Sequence, residues 1–348
     1  MEKMTDRQYT FRVLTEAPDE AAAELWSNLL ANSDFSTHYV TPDFFVDPFA
    51  GGGQRLAVFA VRDGRADAVI TGILKNNEVI SGLAVRPQTA FRRGADRDAA
   101  AAALIEGVRQ LLPYVLHLEL YSWEPVPGLG RMGFDHEIST GGNRVVMLDL
   151  AKGPEQLFKD FSERRRTDIR KTMRLGLVET AVLETDADRA ELYEIHKEWN
   201  RRKGKQPDNF SDFLRACRSP NRTILIARAE GKVIAGTYLR FCPGGVVEYA
   251  ANNSLDESKK LRPNELLGWR AIEWACANGF SRFSFGASHT FLERFGGDIV
   301  STHRYRLDRT FLKRHANKER LSRMAVRAYL SVPKSMRDKV RSAAAKLA

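Results

Sequence analysis

The chain has 348 residues, of which 43% are hydrophobic and 28% charged. This is the balance of a soluble globular protein of about two domains, and it excludes a disordered chain, a collagen and a disulfide miniprotein. The net charge of +10 is concentrated at one end: Lys313 to Ala348 hold eleven Lys and Arg against two acids, so the basic pI does not by itself argue for nucleic-acid binding.

In chain order, YTFRVLT reads as a strand, and residues 20–30 as an amphipathic helix with Leu25, Trp26, Leu29 and Leu30 on one side. A short helix over 44–49 precedes Gly51-Gly52-Gly53. RLAVFAV, DAVITGIL and EVISGLAV, separated by turns at Asp63-Gly64 and Asn76-Asn77, predict an antiparallel meander. A helix over 96–112, the strand YVLHLELY, the Gly-bounded GLGRMGF and the strand NRVVMLDL complete the first half. Residues 153–176 then predict one helix, with Pro154 in its first turn and Gly176 past its end. Phe158, Phe161, Ile169 and Met173 share its apolar face, and Arg164, Arg166, Arg170, Lys171 and Arg174 crowd the other. Arg165 falls inside the apolar arc, where a guanidinium must snorkel, pair with an acid or line a cleft.

The second half repeats the order. LVETAVLET is a strand, and ADRAELYEIHKEWNRR and NFSDFLRACR are helices. RTILIAR, KVIAGTYLRF and VVEYAAN form a second meander, with turns at Glu230-Gly231 and Pro243-Gly244-Gly245. A helix over 263–277, the strand RFSFG, the short element TFLERFGG and the strand THRYRLDRTFL follow. LGRMGFD (Leu129–Asp135) aligns with LERFGGD (Leu292–Asp298), and Gly64 and Gly231 stand at a similar offset, so a duplication is expected. In the tail, Leu321, Met324, Ala325 and Ala328 have helical spacing among Arg320, Arg323 and Arg327. Pro333 is expected to break this helix, and a second begins at Met336. Such a basic amphipathic helix either meets an anionic membrane surface or packs on the body.

This element order resembles the GNAT acyltransferase fold. Its repetition resembles the tandem-GNAT FemAB family and the related BioF2-like or CelD-like acyltransferases found with exopolysaccharide genes. The resemblance spans roughly residues 10–312 and rests on FSERRRTDIRKTMRLG, on YAANNSLDESKKLRPNELLGWRAIEWACANG and on FSFGASHTFLERFGGD. It implies an α/β (α+β) protein of two tandem GNAT-like domains, 1–151 and 152–314, each a mixed, mostly antiparallel sheet flanked by helices. A basic helical tail over 315–348 completes the chain, and the second domain holds the site. It further implies acyl-CoA (acetyl-CoA) as donor and, as acceptor, an amine or hydroxyl of an envelope or exopolysaccharide precursor. The FemAB alternative takes aminoacyl-tRNA and acts on a peptidoglycan precursor. There are departures. The phosphate loop Gln/Arg-x-x-Gly-x-Gly/Ala is absent from both halves, and Lys259-Lys260-Leu261-Arg262-Pro263-Asn264 fills its place without a glycine. The family's aromatic-Lys pair is replaced by Arg294-Phe295.

Acyl transfer needs a base, an oxyanion donor and a grip on both substrates. In VVEYAAN, Glu248, Ala250 and Asn252 point one way and Tyr249 the other. Glu248 is a candidate base or else half of a salt bridge. Tyr249 is a candidate proton donor to the leaving group, or core. Asn252 and Asn253 end the strand, where a site opens or the chain turns. Lys259, Lys260, Arg262 and Asn264 form a candidate phosphate site at a helix start, or a solvated loop. His289 is a candidate base or hydroxyl contact; Ser288 beside it contacts substrate or caps a helix near Glu293. Arg165 and Arg166 are candidates for an anionic acceptor, and His38 for the first half's cleft. Cys217, Cys242 and Cys276 form no CxxC, and HExxH, Walker and GxSxG patterns are absent, so neither a metal nor a disulfide is expected. Without an apolar leader core, the expectation is a cytoplasmic protein, peripheral to the inner membrane face through its tail. A third reading is a non-enzymatic module that binds anionic lipid or nucleic acid.

Overall fold

The structure, a computed structural model, describes residues 9–46, 53–332 and 336. The first half runs β1 (Thr10–Leu14), α1 (Glu20–Ala31), α2 (Pro42–Val46), β2 (Gln54–Arg62), β3 (Arg65–Lys75), β4 (Glu78–Leu83), β5 (Arg86–Pro87), β6 (Thr89–Phe91), α3 (Arg97–Leu111), β7 (His117–Ser122), α4 (Pro127–Arg131), β8 (Asp135–Ile138) and β9 (Val145–Asp149). Then come α5 (Gly153–Asp160), α6 (Glu163–Leu175), β10 (Glu179–Val182), α7 (Asp186–Arg202), α8 (Phe210–Arg218), β11 (Arg222–Ala229), β12 (Lys232–Phe241), β13 (Val246–Ser254), α9 (Pro263–Ala277), β14 (Arg282–Ser284), α10 (Thr290–Glu293), β15 (Asp298–Val300), β16 (His303–Asp308) and α11 (Arg314–Ser331). Part of the short helix expected over 44–49, and all of the second tail helix beyond Met336, lie outside the described residues.

The duplication is visible in backbone geometry. The β2–β3 and β11–β12 hairpins turn on Asp63-Gly64 and Glu230-Gly231, with φ of 53° and 72°, and 52° and 75°. Both central residues are left-handed, as the hairpin turn that matches strand twist requires. Just beyond each turn the pairing slips past one residue, Asp67 in β3 and Ile234 in β12.

Alternation builds three layers in each half. In β2, Leu56, Val58 and Ala60 pack towards α3, whereas Ala57 and Phe59 pack towards Trp26 and Leu29 of α1. In β11, Leu225 and Ala227 join the core of α5, α6 and α9, while Ile224 and Ile226 join that of α7 and α8. These strands read as continuous apolar runs because helices cover both faces.

The sheets do not divide where the sequence halves do. The order β1-β2-β3-β4-β7-β16-β8 places the last strand of the second half inside the first sheet. The order β10-β11-β12-β13-β14-β9-β15 places the last strand of the first half inside the second. The two halves have exchanged their closing strands, so residues 1–151 do not contain one complete sheet.

The single helix expected over 153–176 is two. Phe161 adopts an extended conformation, with ψ of 150°, and its ring enters the core against Trp269 and Phe295. Ser162 then caps α6 by accepting from the Arg165 amide at 3.3 Å. Burial of one ring outweighs a turn of helical continuity.

Candidate active site

β13 and β14 run parallel and pair only from Val246 to Glu248 and from Arg282 to Ser284. Beyond that, Phe285 leaves for β9, donating its amide to Val146 O at 2.9 Å. The strands therefore part and leave a notch. On the opposite edge of β13 the register to β12 skips Ala250. Ala250 thus has no register partner on either neighbour, and such a bulge frees a backbone amide for a ligand.

A cavity of about 480 Å³ opens where the bulge meets α7 and α8. Ala250, Ala251, Asn252 and Asn253 line it together, because the bulge breaks the strict alternation expected for this strand. The opposite wall carries a His–Asp pair that sequence reasoning missed. His196 Nε2 lies 3.2 Å from Asp208 Oδ2, and its Nδ1 lies 3.4 Å from Asn253 Oδ1 and 3.3 Å from Asn200 Nδ2. Asn200, one turn on, also reaches the ring, at 3.1 Å. The Tyr238 hydroxyl on the same wall is buried and has no hydrogen-bond partner, and burial holds its pKa well above the usual value. The signal was the i, i+4 pair His196/Asn200 beside the buried Leu192 and Ile195; Asp208 comes from the following loop and has no periodicity to betray it.

Glu248 is buried, and its Oε1 accepts from Arg86 Nε at 3.0 Å, so it ties β13 to the first half. Its Oε2 has no partner. Burial alone would ease proton loss from Arg86, but the charge of Glu248 overrides it and raises the pKa. Tyr249 points to the other face, where its ring lies 5.6 Å from Phe285 and burial pushes its pKa up to about 12. His289 is exposed at the start of α10, and Ser288 donates to Glu293 at 2.7 Å. Glu248, Tyr249 and His289 are therefore not brought to one place. His38 is buried between the rings of Tyr39 and Phe44. Burial, then the charges of Arg240 and Arg222, push its pKa down to about 3.

Arg165 pairs with an acid, one of the three options its position allowed. Its Nη1 lies 3.4 Å from Glu265 of α9, its Nη2 donates to Phe291 O at 2.7 Å, and the guanidinium lies 4.2 Å from the centres of the Phe291 and Phe295 rings. Arg166 instead donates to Phe161 O at 3.1 Å and to Lys159 O, which satisfies carbonyls at the end of α5. At the start of α9, Lys259 is paired with Asp256 and Arg262 with Asp168. Asn264 donates to Ser254 Oγ at 3.2 Å, and its Oδ1 is buried without a partner. Exposed Lys260 has no such acid. Two of these cations are thus ion-paired and Glu265 stands in the first turn, so a diphosphate bound here would compete with Asp256 and Asp168.

Among the described residues no group of three or more His, Cys, Asp and Glu is placed to hold a metal ion. The profile of the acetyltransferase (GNAT) domain matches residues 159–296. No curated protein matches the chain by sequence. Solved structures are similar in fold. The crystal structure of FemX superimposes with a TM-score of 0.67 at 12% identity over 85% of this chain and 98% of that one. L-PGS from Bacillus licheniformis gives 0.56 at 13% identity, over 90% and 98%. A tandem GNAT protein from the clavulanic acid biosynthesis pathway gives 0.51 at 13% identity, over 87% and 99%.

Proposed function

We propose, for a chain whose fold is the tandem GNAT fold of the FemAB-related proteins, that it is an acyltransferase whose reaction takes place in the His196 cavity. The observation that carries this reading is the meeting of two features in that cavity: a bulged backbone at Ala250 and a His–Asp pair. With its Nε2 proton held by Asp208, His196 keeps a lone pair on Nδ1, which Asn200 Nδ2 faces at 3.3 Å until the acceptor takes its place. That nitrogen takes the proton of an acceptor amine or hydroxyl as the acceptor oxygen or nitrogen bonds to the acyl carbon. The Ala250 amide stabilises the oxyanion that forms, and Asn252 and Asn253 orient the acceptor. The leaving group departs with the electron pair of its bond to the acyl carbon and takes up the proton that His196 received.

The donor divides two readings. The domain match supports acyl-CoA. The ion pairs of Lys259 and Arg262, which a diphosphate would have to displace, support aminoacyl-tRNA. The acceptor class is an amine or hydroxyl of a cell-envelope or exopolysaccharide precursor.

The test is to titrate the full chain with acetyl-CoA and with charged tRNA in parallel, and then to measure transfer from whichever binds. One donor is expected to bind saturably. His196→Gln is expected to keep that binding but lose about 10²–10⁴-fold in transfer rate. Binding of neither donor, or transfer by His196→Gln at the unaltered rate, overturns the proposal.

A further inference from the structure

Between β16 and α11 the chain makes a turn that its residues disfavour. Leu312 and Lys313 have φ of 54° and 48°. Neither has the short polar side chain that tolerates this region, so each costs on the order of 1 kcal/mol. The turn is nonetheless firmly held. The buried Asp308 accepts from Thr310 N at 3.1 Å and from Ala316 N at 2.9 Å, Thr310 Oγ1 accepts from Arg314 N at 2.7 Å, and Asn317 Nδ2 donates to Leu312 O at 2.6 Å. Its product is exposure: Phe311 is 88% and Leu312 72% accessible. Tyr114, at 82%, stands on the loop whose Leu116 carbonyl accepts from Arg309 N at 2.7 Å.

Cations flank this turn and continue along the helix that follows it. Arg309, Lys313 and Arg314 flank the turn, and Lys318, Arg320 and Arg327 follow on α11, whose Leu321 and Met324 are also exposed. Arg314 is held by Glu78 at 2.7 Å, whereas Lys318, Arg320 and Arg327 have no salt bridge among the described residues. From Pro333 to Ala348 five more Lys and Arg stand against one acid. An exposed apolar tip followed by an exposed cationic helix is mismatched to water and matched to a bilayer whose headgroups are anionic and whose acyl region lies just beneath.

We infer that the strained Phe311–Leu312 turn and the exposed cations of α11 form a docking surface for an anionic phospholipid bilayer, with the two apolar side chains entering the headgroup–acyl boundary. The inference does not depend on the chemistry of the His196 cavity. It is tested by sedimenting the full chain with vesicles of phosphatidylcholine alone and of phosphatidylcholine with phosphatidylglycerol. Binding is expected only to the second. Removing three cations in Lys318→Gln/Arg320→Gln/Arg327→Gln is expected to weaken it about a hundredfold. Phe311→Ser/Leu312→Asn, which keeps every charge and places a tolerant residue at positive φ, is expected to weaken it at least about tenfold while leaving the thermal midpoint unchanged or raised. Equal binding to both vesicle types, or unaltered binding by the Phe311/Leu312 variant, overturns the inference. So does a chain that is dimeric until that variant makes it monomeric, which would assign the tip to a second copy. Capture of single-stranded RNA that the same variant loses would assign it to nucleic acid.

Discussion

His38 is a neutral imidazole locked where it cannot take a proton. Its pKa falls from 6.5 unfolded to about 3 folded, so between those values the unfolded chain binds a proton that the folded chain refuses. Stability from this residue is complete above pH 6.5 and drains away as pH falls, well before carboxylates titrate. From pH 6.5 to pH 5 the loss is about 2 kcal/mol. Urea unfolding at the two pH values measures it, and His38→Phe is expected to remove most of the drop; an equal drop in the variant would place its origin elsewhere. Glu119 acts at lower pH. Burial alone would raise its pKa, but hydrogen bonds from His117, Arg304 and Tyr121 bring it to about 2. Its contribution is intact above pH 4.5 and is lost towards pH 2.

At the scale of elements, α11 is held by ion pairs, at its start to Glu78 and beyond it through its own Glu319. Glu319 accepts from Arg304 at 2.8 Å, from Arg306 at 2.6 Å and from Arg323 at 2.6 Å, so a single acid of the helix gathers two arginines of β16 and one of its own turn. Glu319→Gln is expected to speed amide exchange over 314–331 by at least about tenfold, because this helix buries few apolar side chains. Exchange elsewhere stays unchanged. The same contrast explains what the sequence allowed to be read. The meanders, their turns and the amphipathic helices were legible because period and turn chemistry are local. So was the choice facing Arg165, since a guanidinium within an apolar arc has few options. The break at Phe161 was hidden because the ring's partners, Trp269 and Phe295, lie over a hundred residues away. The His196 cavity was hidden for a similar reason: Asp208, Asn253 and the slip at Ala250 meet it only through tertiary packing. Asn252 and Asn253, read from the sequence as the end of a strand, lie within β13 and line the cavity.

At the scale of the molecule, β9 and β16 have changed places, and neither half is self-sufficient. Residues 1–151 expressed alone lack the strand that lies between β7 and β8, and are expected to be insoluble or unfolded by circular dichroism. Co-expression with 152–348 is expected to restore a soluble complex; a stable, folded 1–151 fragment would contradict the exchange. The exchange also sets a timetable for biosynthesis. β8 leaves the ribosome while its neighbour is still some 170 residues from being made, an interval of roughly 10–30 s at ordinary elongation rates. Throughout it the nascent chain carries an unzipped seam, with the β7 edge ready to accept whatever strand comes first. Chaperone demand in the cell should therefore track the translation speed of the codons between those two strands.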